Sequence, residues 1–235
     1  VTTTEAPARP PLWRRIVSST WFHFAAAVVL TGLVLSFVAK PFWVPSSSMA
    51  ETLEPGDRVL VNRLAYVGSE PATGDVIVFD ADSTWSISGT AEENPIRTVL
   101  RWIGEVSGFG PTGPHTLIKR VIASSGQTVE CCDADGRMLV DGEPLDEPYL
   151  GSDYAFEPGT LDCDSEPTSL RCLVAVTVPE DSYVVLGDNR TNSSDSARAC
   201  RVADADETCW RFATRAGVVG KAVVILWPIG RWSGL

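Results

Sequence analysis

Two hydrophobic patterns divide the chain. From Trp21 to Ala39 the sequence WFHFAAAVVLTGLVLSFVA runs 19 residues without a formal charge, which as a helix extends about 28 Å, close to the thickness of a bilayer core. Beyond it the apolar runs are short and alternate with polar positions, the mark of half-buried strands. They fall at Arg58 to Leu64, Asp75 to Asp80, Leu117 to Ala123, Arg137 to Gly142, Leu173 to Val178, Ser182 to Gly187 and Gly217 to Pro228. Asp135-Gly136 and Asp141-Gly142 read as tight turns between them. One segment differs: Pro95 to Val106 places Ile96, Val99, Leu100, Ile103 and Val106 at helical spacing. Such a helix either lies on lipid, with Trp102 at the headgroups and Arg97 and Arg101 toward anionic lipid, or packs on the sheet. The flanking stretches 82–94 and 107–115 are rich in Gly, Pro, Ser and Thr and read as loops. The expectation is a mainly β domain preceded by one N-terminal transmembrane helix.

The charges give that helix a direction. Arg9, Arg14, Arg15 and Lys40 against Glu5 make residues 1–40 net +3, whereas the whole chain of 235 residues carries −11. The positive-inside rule then places residues 1–20 in the cytoplasm as a Pro-, Ala- and Thr-rich tail, residues 21–39 as a single-pass anchor in the cell membrane, and residues 41–235 outside the cytoplasm. Trp13, Trp21, Phe42 and Trp43 are expected at the two interfaces. A removable secretory leader is the competing reading; Phe37 is too bulky for the position two before a cut after Ala39, so a retained anchor is preferred. His23 lies in the span near its cytoplasmic end and reads as a neutral, interface-seeking imidazole.

Composition narrows the function. With 44% hydrophobic residues the chain can close a core, and 30 acids against 19 bases argue against a nucleic-acid partner. Two histidines, His23 and His115, exclude a three-histidine zinc site. Six cysteines, Cys131, Cys132, Cys163, Cys172, Cys200 and Cys209, make sense as disulfides outside the cytoplasm. The equal spacings of Cys163 to Cys172 and Cys200 to Cys209 suggest two local loops. Asp133 to Gly136 resembles the start of a calcium loop but lacks its other ligands, so a turn is expected. The triplets Asn189-Arg190-Thr191 and Asn192-Ser193-Ser194 fit a glycosylation pattern and are read as coincidental.

Three clusters carry candidate chemistry: PSSSM at Pro45 to Met49, IKRVI at Ile118 to Ile122, and GDNRTNSSDS at Gly187 to Ser196. Lysine occurs only at positions 40, 119 and 221, so it is not generic surface charge. In strand alternation Lys119 shares a face with Leu117 and Val121, and Arg120 shares the other with Ile118 and Ile122. To act as a base near pH 7 a lysine must fall by about 3 from its ordinary pKa of about 10.4, which apolar burial supplies. Lys221, between Val219 and Val223, has the same pattern, and periodicity does not choose between the two.

Together with TGDVIVF (Thr73 to Phe79) and VVGKAVVILWP (Val218 to Pro228), these clusters in this order resemble bacterial type I signal peptidase, the membrane-bound serine-lysine endopeptidase, across Trp21 to Pro228. The resemblance implies a β-fold ectodomain of two antiparallel sheet regions, with insertion loops near 81–115 and 131–181. It implies that Ser48 is the nucleophile and Lys119, rather than Lys221, its general base. The Ser48 backbone N–H and the Ser46 hydroxyl would form the oxyanion hole, and Ser193 would orient the lysine. Asp188 would pair with Arg120 and Asp195 with Arg198, although Ala197 adds a residue to the family's spacing. The implied substrates are signal peptides of exported preproteins, docked in extended form beside a strand and cut after small residues. No metal or organic cofactor is implied, and a monomer is expected. Ser48 lies nine residues beyond Ala39, at most about 30 Å from the membrane edge. The rival readings are a self-cleaving repressor-type serine-lysine hydrolase, a histidine-using signal peptidase, and an anchored non-catalytic cell-envelope binding or scaffold protein.

Overall fold

A computed structural model describes residues 13, 17–85, 115–202 and 205–235. The helical spacing from Pro95 to Val106 and most of the first insertion loop lie outside these residues. The uncharged segment forms helix α1 (Thr20–Phe37), 18 residues long. At 1.5 Å per residue it extends about 27 Å. Phe24, Val28, Leu30 and Leu33 on it are exposed, and Ser19 opens it by accepting the N–H groups of Phe22 and His23. Among the described residues no helix is long and apolar enough to cross a membrane. The expected span Trp21 to Ala39 is shortened at its end: Val38 caps the helix, and Ala39 begins a strand because its backbone pairs with Asn62.

The strands described are β1 (Ala39–Trp43), β2 (Arg58–Asn62), β3 (Val76–Asp80), β4 (Thr116–Ser124), β5 (Thr128–Cys131), β6 (Met138–Val140), β7 (Glu143–Pro144), β8 (Leu173–Thr177), β9 (Ser182–Leu186), β10 (Ala213–Thr214) and β11 (Val218–Trp227). They form a seven-stranded sheet in the order β1-β2-β11-β3-β4-β9-β10 and a four-stranded sheet in the order β7-β6-β5-β8. Pairing is antiparallel throughout these ladders. The chain is mainly β, as expected. Three strands of the second sheet, β6, β7 and β8, lie within 131–181, so that stretch is folded structure rather than only an inserted loop.

Alternation explains the layering. Val76 and Val78 of β3 join Val59, Val61 and Ala222 in one apolar cluster, while Ile77 and Phe79 join Val121, Tyr183 and Val185 in another. A third cluster, with Ile122, Val129, Leu173, Val184, Leu186 and Trp210, ties the two sheets together. β3 and β9 are therefore apolar on both faces, which is why they read as continuous hydrophobic runs. Asp141 and Gly142, with φ of 53° and 80°, make the two-residue turn between β6 and β7, a geometry that primed hairpin turns require. Asp133 Oδ1 accepts the N–H groups of Asp135 and Arg137, so the calcium-like loop is a turn.

Four strands, β1, β5, β7 and β10, escaped the sequence pattern. AKPFW of β1 has no clear alternation, and Phe42, expected at the membrane interface, is 8% exposed and packs in the core beside Val59 and Met49. Pro41 is tolerated because β1 is an edge strand. The cysteines pair as Cys131–Cys132, Cys163–Cys172 and Cys200–Cys209, two of them the local loops expected. For the site, three connections matter: β1 runs into the serine triplet, β4 carries Lys119 and Arg120, and β9 runs into residues 187–201.

Candidate active site

The serine triplet is held from both sides. Met49 and Leu53 are fully buried, and their turn closes through Ala50 N–H to the Ser47 carbonyl and Leu53 N–H to the Met49 carbonyl. From the other side Asn189 donates its backbone N–H to the Ser48 carbonyl at 3.1 Å and its Nδ2 to the Ser47 carbonyl at 3.2 Å. Asn192 Nδ2 donates to Ser47 Oγ at 2.8 Å. Arg190–Asn192 form a short 3-10 turn, and that spacing of three brings both amides to Ser47. The two glycosylation-type asparagines thus brace the serine segment.

Gly187 lets the loop approach so closely. A Cβ there would lie 2.4 Å from both the Ser48 carbonyl oxygen and Ser193 Oγ, so no other residue fits without displacing one of them.

Lys119 is 3% exposed and Ser48 6% exposed. Lys119 Nζ donates to Ser48 Oγ at 2.8 Å and to the Ile118 carbonyl at 2.9 Å. Burial pushes the amine down to about 8, while the negative charges of Asp195 and Asp188 pull it upward. Periodicity left Lys119 and Lys221 equivalent and the family resemblance chose Lys119; in the structure their partners differ. Lys221 Nζ pairs with Asp75 at 2.5 Å, and Asp75 also accepts from the Tyr66 hydroxyl. Ser46 Oγ lies 3.3 Å from Ser48 Oγ.

Arg120 meets Asp188 in a buried two-pronged pair, Nε to Oδ1 at 2.9 Å and Nη2 to Oδ2 at 2.7 Å. It also donates to the Gly74 carbonyl and lies 3.8 Å over the Tyr149 ring. Thr52 adds a hydroxyl donor to Asp188. Lys119 and Arg120 therefore both reach the segment 48–52, although alternation predicts opposite faces.

Two implied contacts are corrected. Ser193 Oγ is buried but has no hydrogen-bond partner; the lysine nitrogen donates to Ser48 and Ile118. Asp195 does not pair with Arg198: the inserted Ala197 leads into a 3-10 turn, Arg198–Cys200, which leaves Arg198 exposed. Arg201, three residues on, places Nη1 3.4 Å from Asp195 Oδ1. Thr52, Tyr149 and Arg201 were not singled out from the sequence, and Asn189 and Asn192 were named only in triplets read as coincidental. Only the asparagines left a signal, in their spacing of three.

Beside the serine a small, shallow cleft opens between Phe42–Ser46 and Thr116–Lys119, also lined by Val59 and Val78. Its lining is mostly apolar. Among the described residues one group has metal-donor spacing, Cys132, Cys163 and Cys172, and all three sulfurs are in disulfides.

An alcohol and a desolvated amine in contact at the end of an apolar cleft define a serine-lysine hydrolase site. The chain belongs to the signal peptidase family, peptidase S26, whose model matches residues 17–227. It is 39% identical over 219 residues to signal peptidase I of Mycobacterium tuberculosis, covering 88% of this chain and 71% of that protein. It is 36% identical over 241 residues to the probable signal peptidase I of Mycobacterium leprae, covering 93% and 80%. A solved signal peptidase I from Enterococcus faecalis aligns with 65% of this chain and 97% of its own, at 25% identity and a TM-score of 0.33.

Proposed function

We propose that the protein is a membrane-bound serine endopeptidase that removes signal peptides from exported preproteins, with Ser48 as nucleophile and Lys119 as general base. The observation that carries this is the 2.8 Å contact between a buried Lys119 Nζ and Ser48 Oγ. While charged, the amine only donates. Once neutral, its lone pair accepts the Ser48 proton as Oγ attacks the scissile carbonyl, and the resulting ammonium returns that proton to the leaving amine. An acyl-enzyme remains, and a water deprotonated by the same amine releases it. The Ser48 backbone N–H and the Ser46 hydroxyl are the assigned oxyanion donors, each worth about 3 kcal/mol at the transition state.

The substrate lies extended in the cleft beside β4, its small side chains directed at the apolar lining. The anchor is the uncharged segment Trp21 to Ala39: α1 by itself falls short of a membrane span, but it carries no formal charge, Phe24, Val28, Leu30 and Leu33 on it are exposed, and a helix apolar all round needs a non-aqueous surround. Residues 1–20 are the cytoplasmic tail and 41–235 the extracytoplasmic catalytic domain, working as a monomer with insertions near 81–115 and 131–181. Since α1 leads directly into β1 and β1 into the serine turn, the site stays close to the bilayer that holds the substrate's own apolar segment.

The test is a preprotein-processing assay in proteoliposomes. Ser48→Ala and Lys119→Ala are expected to abolish processing, and Lys221→Ala to retain it. Processing by the first two with loss in the third would overturn the assignment.

A further inference from the structure

Two buried carboxylates act on Lys119, Asp195 the more strongly and Asp188 next. Each is matched by one arginine, and each arginine lies over a tyrosine ring. Asp188 has Arg120, 3.8 Å over Tyr149, and Asp195 has Arg201, 5.2 Å over Tyr154. The Asp188 pair was expected from the family pattern; the Arg201 contact takes the place expected for Arg198.

We propose that Arg201, held by the Cys200–Cys209 bridge, is a positioning residue that neutralises Asp195 and so eases loss of the Lys119 proton. The proposal rests on the reading of Lys119 as general base. Asp195 is fully buried, and its two oxygens face different ways. Oδ2 accepts the Gly187 N–H at 3.2 Å, and Gly187 abuts the Ser48 carbonyl. Oδ1 accepts the Ala197 N–H at 3.2 Å and Arg201 Nη1 at 3.4 Å. The carboxylate thus joins the loop that touches the nucleophile to the arginine. Left unmatched in a dry site, its charge would favour the protonated lysine.

The bridge fixes the arginine. Cys200 immediately precedes it and is buried in the same apolar cluster as Trp210, while the Arg211 N–H donates to the Ser196 carbonyl. Both ends of the bridged segment are therefore tied to the stretch that carries Asp195. Arg198 lies nearer in sequence but is exposed.

The experiment is the pH profile of kcat/KM for preprotein cleavage by the full chain in detergent micelles. Arg201→Met is expected to move the rising limb upward by about one pH unit, so that kcat/KM falls about tenfold at pH 7 and returns to within about twofold of wild type at pH 10. Arg201→Lys is expected to follow wild type. The Asp195→Asn/Arg201→Met pair removes the unmatched charge, is expected to fold even where Arg201→Met does not, and shows no upward movement. Cys200→Ser/Cys209→Ser moves the limb in the direction of Arg201→Met. A loss uniform across pH in Arg201→Met, an unmoved limb, or a raised limb in the Asp195→Asn/Arg201→Met pair overturns the role of Arg201. An unmoved limb in the cysteine pair overturns the role of the bridge. Lys119→Ala separates the two readings: retained turnover sinks the dyad itself, whereas an inactive Lys119→Ala with an unmoved Arg201→Met limb sinks only the present proposal.

Discussion

Lys119 shows how the chemistry follows from burial. Its amine is lowered from an ordinary 10.5 to about 8, so the folded protein gives up a proton that the unfolded chain keeps. Between pH 8 and 10.5 the unfolded state binds more protons, so stability rises with pH across that window. Below about pH 8 the destabilisation is fully present, and the shift corresponds to about 3 kcal/mol. Urea unfolding of wild type and Lys119→Met across this range checks it: the wild type is expected to gain about 3 kcal/mol relative to the variant as pH rises, and parallel curves would contradict it. Periodicity marked both Lys119 and Lys221 as desolvation candidates. The family motif, not periodicity, told them apart, and periodicity could not because Asp75, 146 residues away in sequence, claims Lys221. Arg201 was illegible for a similar reason: a 3-10 turn decides which arginine meets Asp195, and no residue pattern announces that turn.

At the level of elements, the strands with strong apolar runs were legible and the weak ones were not. β3, β4, β9 and β11 are long or buried on both faces, so burial and sequence speak together. TVEC of β5 and AKPFW of β1 are short, and partner strands decide their state more than their own composition. The segment after β9 was legible as a motif but not as a clamp. Its bracing of Ser47 and Ser48 depends on the close approach at Gly187. Gly187→Ala is therefore expected to lower kcat by at least about a hundredfold, since a misplacement of about 1 Å suffices for that; turnover within twofold of wild type would contradict the clamp. Asp188→Ala leaves Arg120 buried without its partner and is expected to cost about 3–5 kcal/mol in urea unfolding. A loss near zero would show that the pair is not buried in solution.

For the whole molecule, the sequence conveyed a mainly β body, one apolar N-terminal helix and two local disulfide loops, and of the second sheet it showed β6 and β8 but not the short β5 and β7. The arrangement places catalysis at the end of a short leash from α1. Removing residues 1–37 is expected to leave cleavage of a short peptide in solution intact but to slow cleavage of a membrane-embedded preprotein by about a hundredfold or more, through lost effective concentration. Equal rates with and without α1 on the embedded substrate would contradict the leash. Because the chain holds only three lysines, the neutral amine can be observed directly. A nuclear magnetic resonance titration of isotope-labelled lysine side chains in the full chain in micelles is predicted to show one amine titrating near pH 8, absent in Lys119→Met. Three amines that all stay charged to pH 10 would contradict a serine-lysine mechanism in this protein.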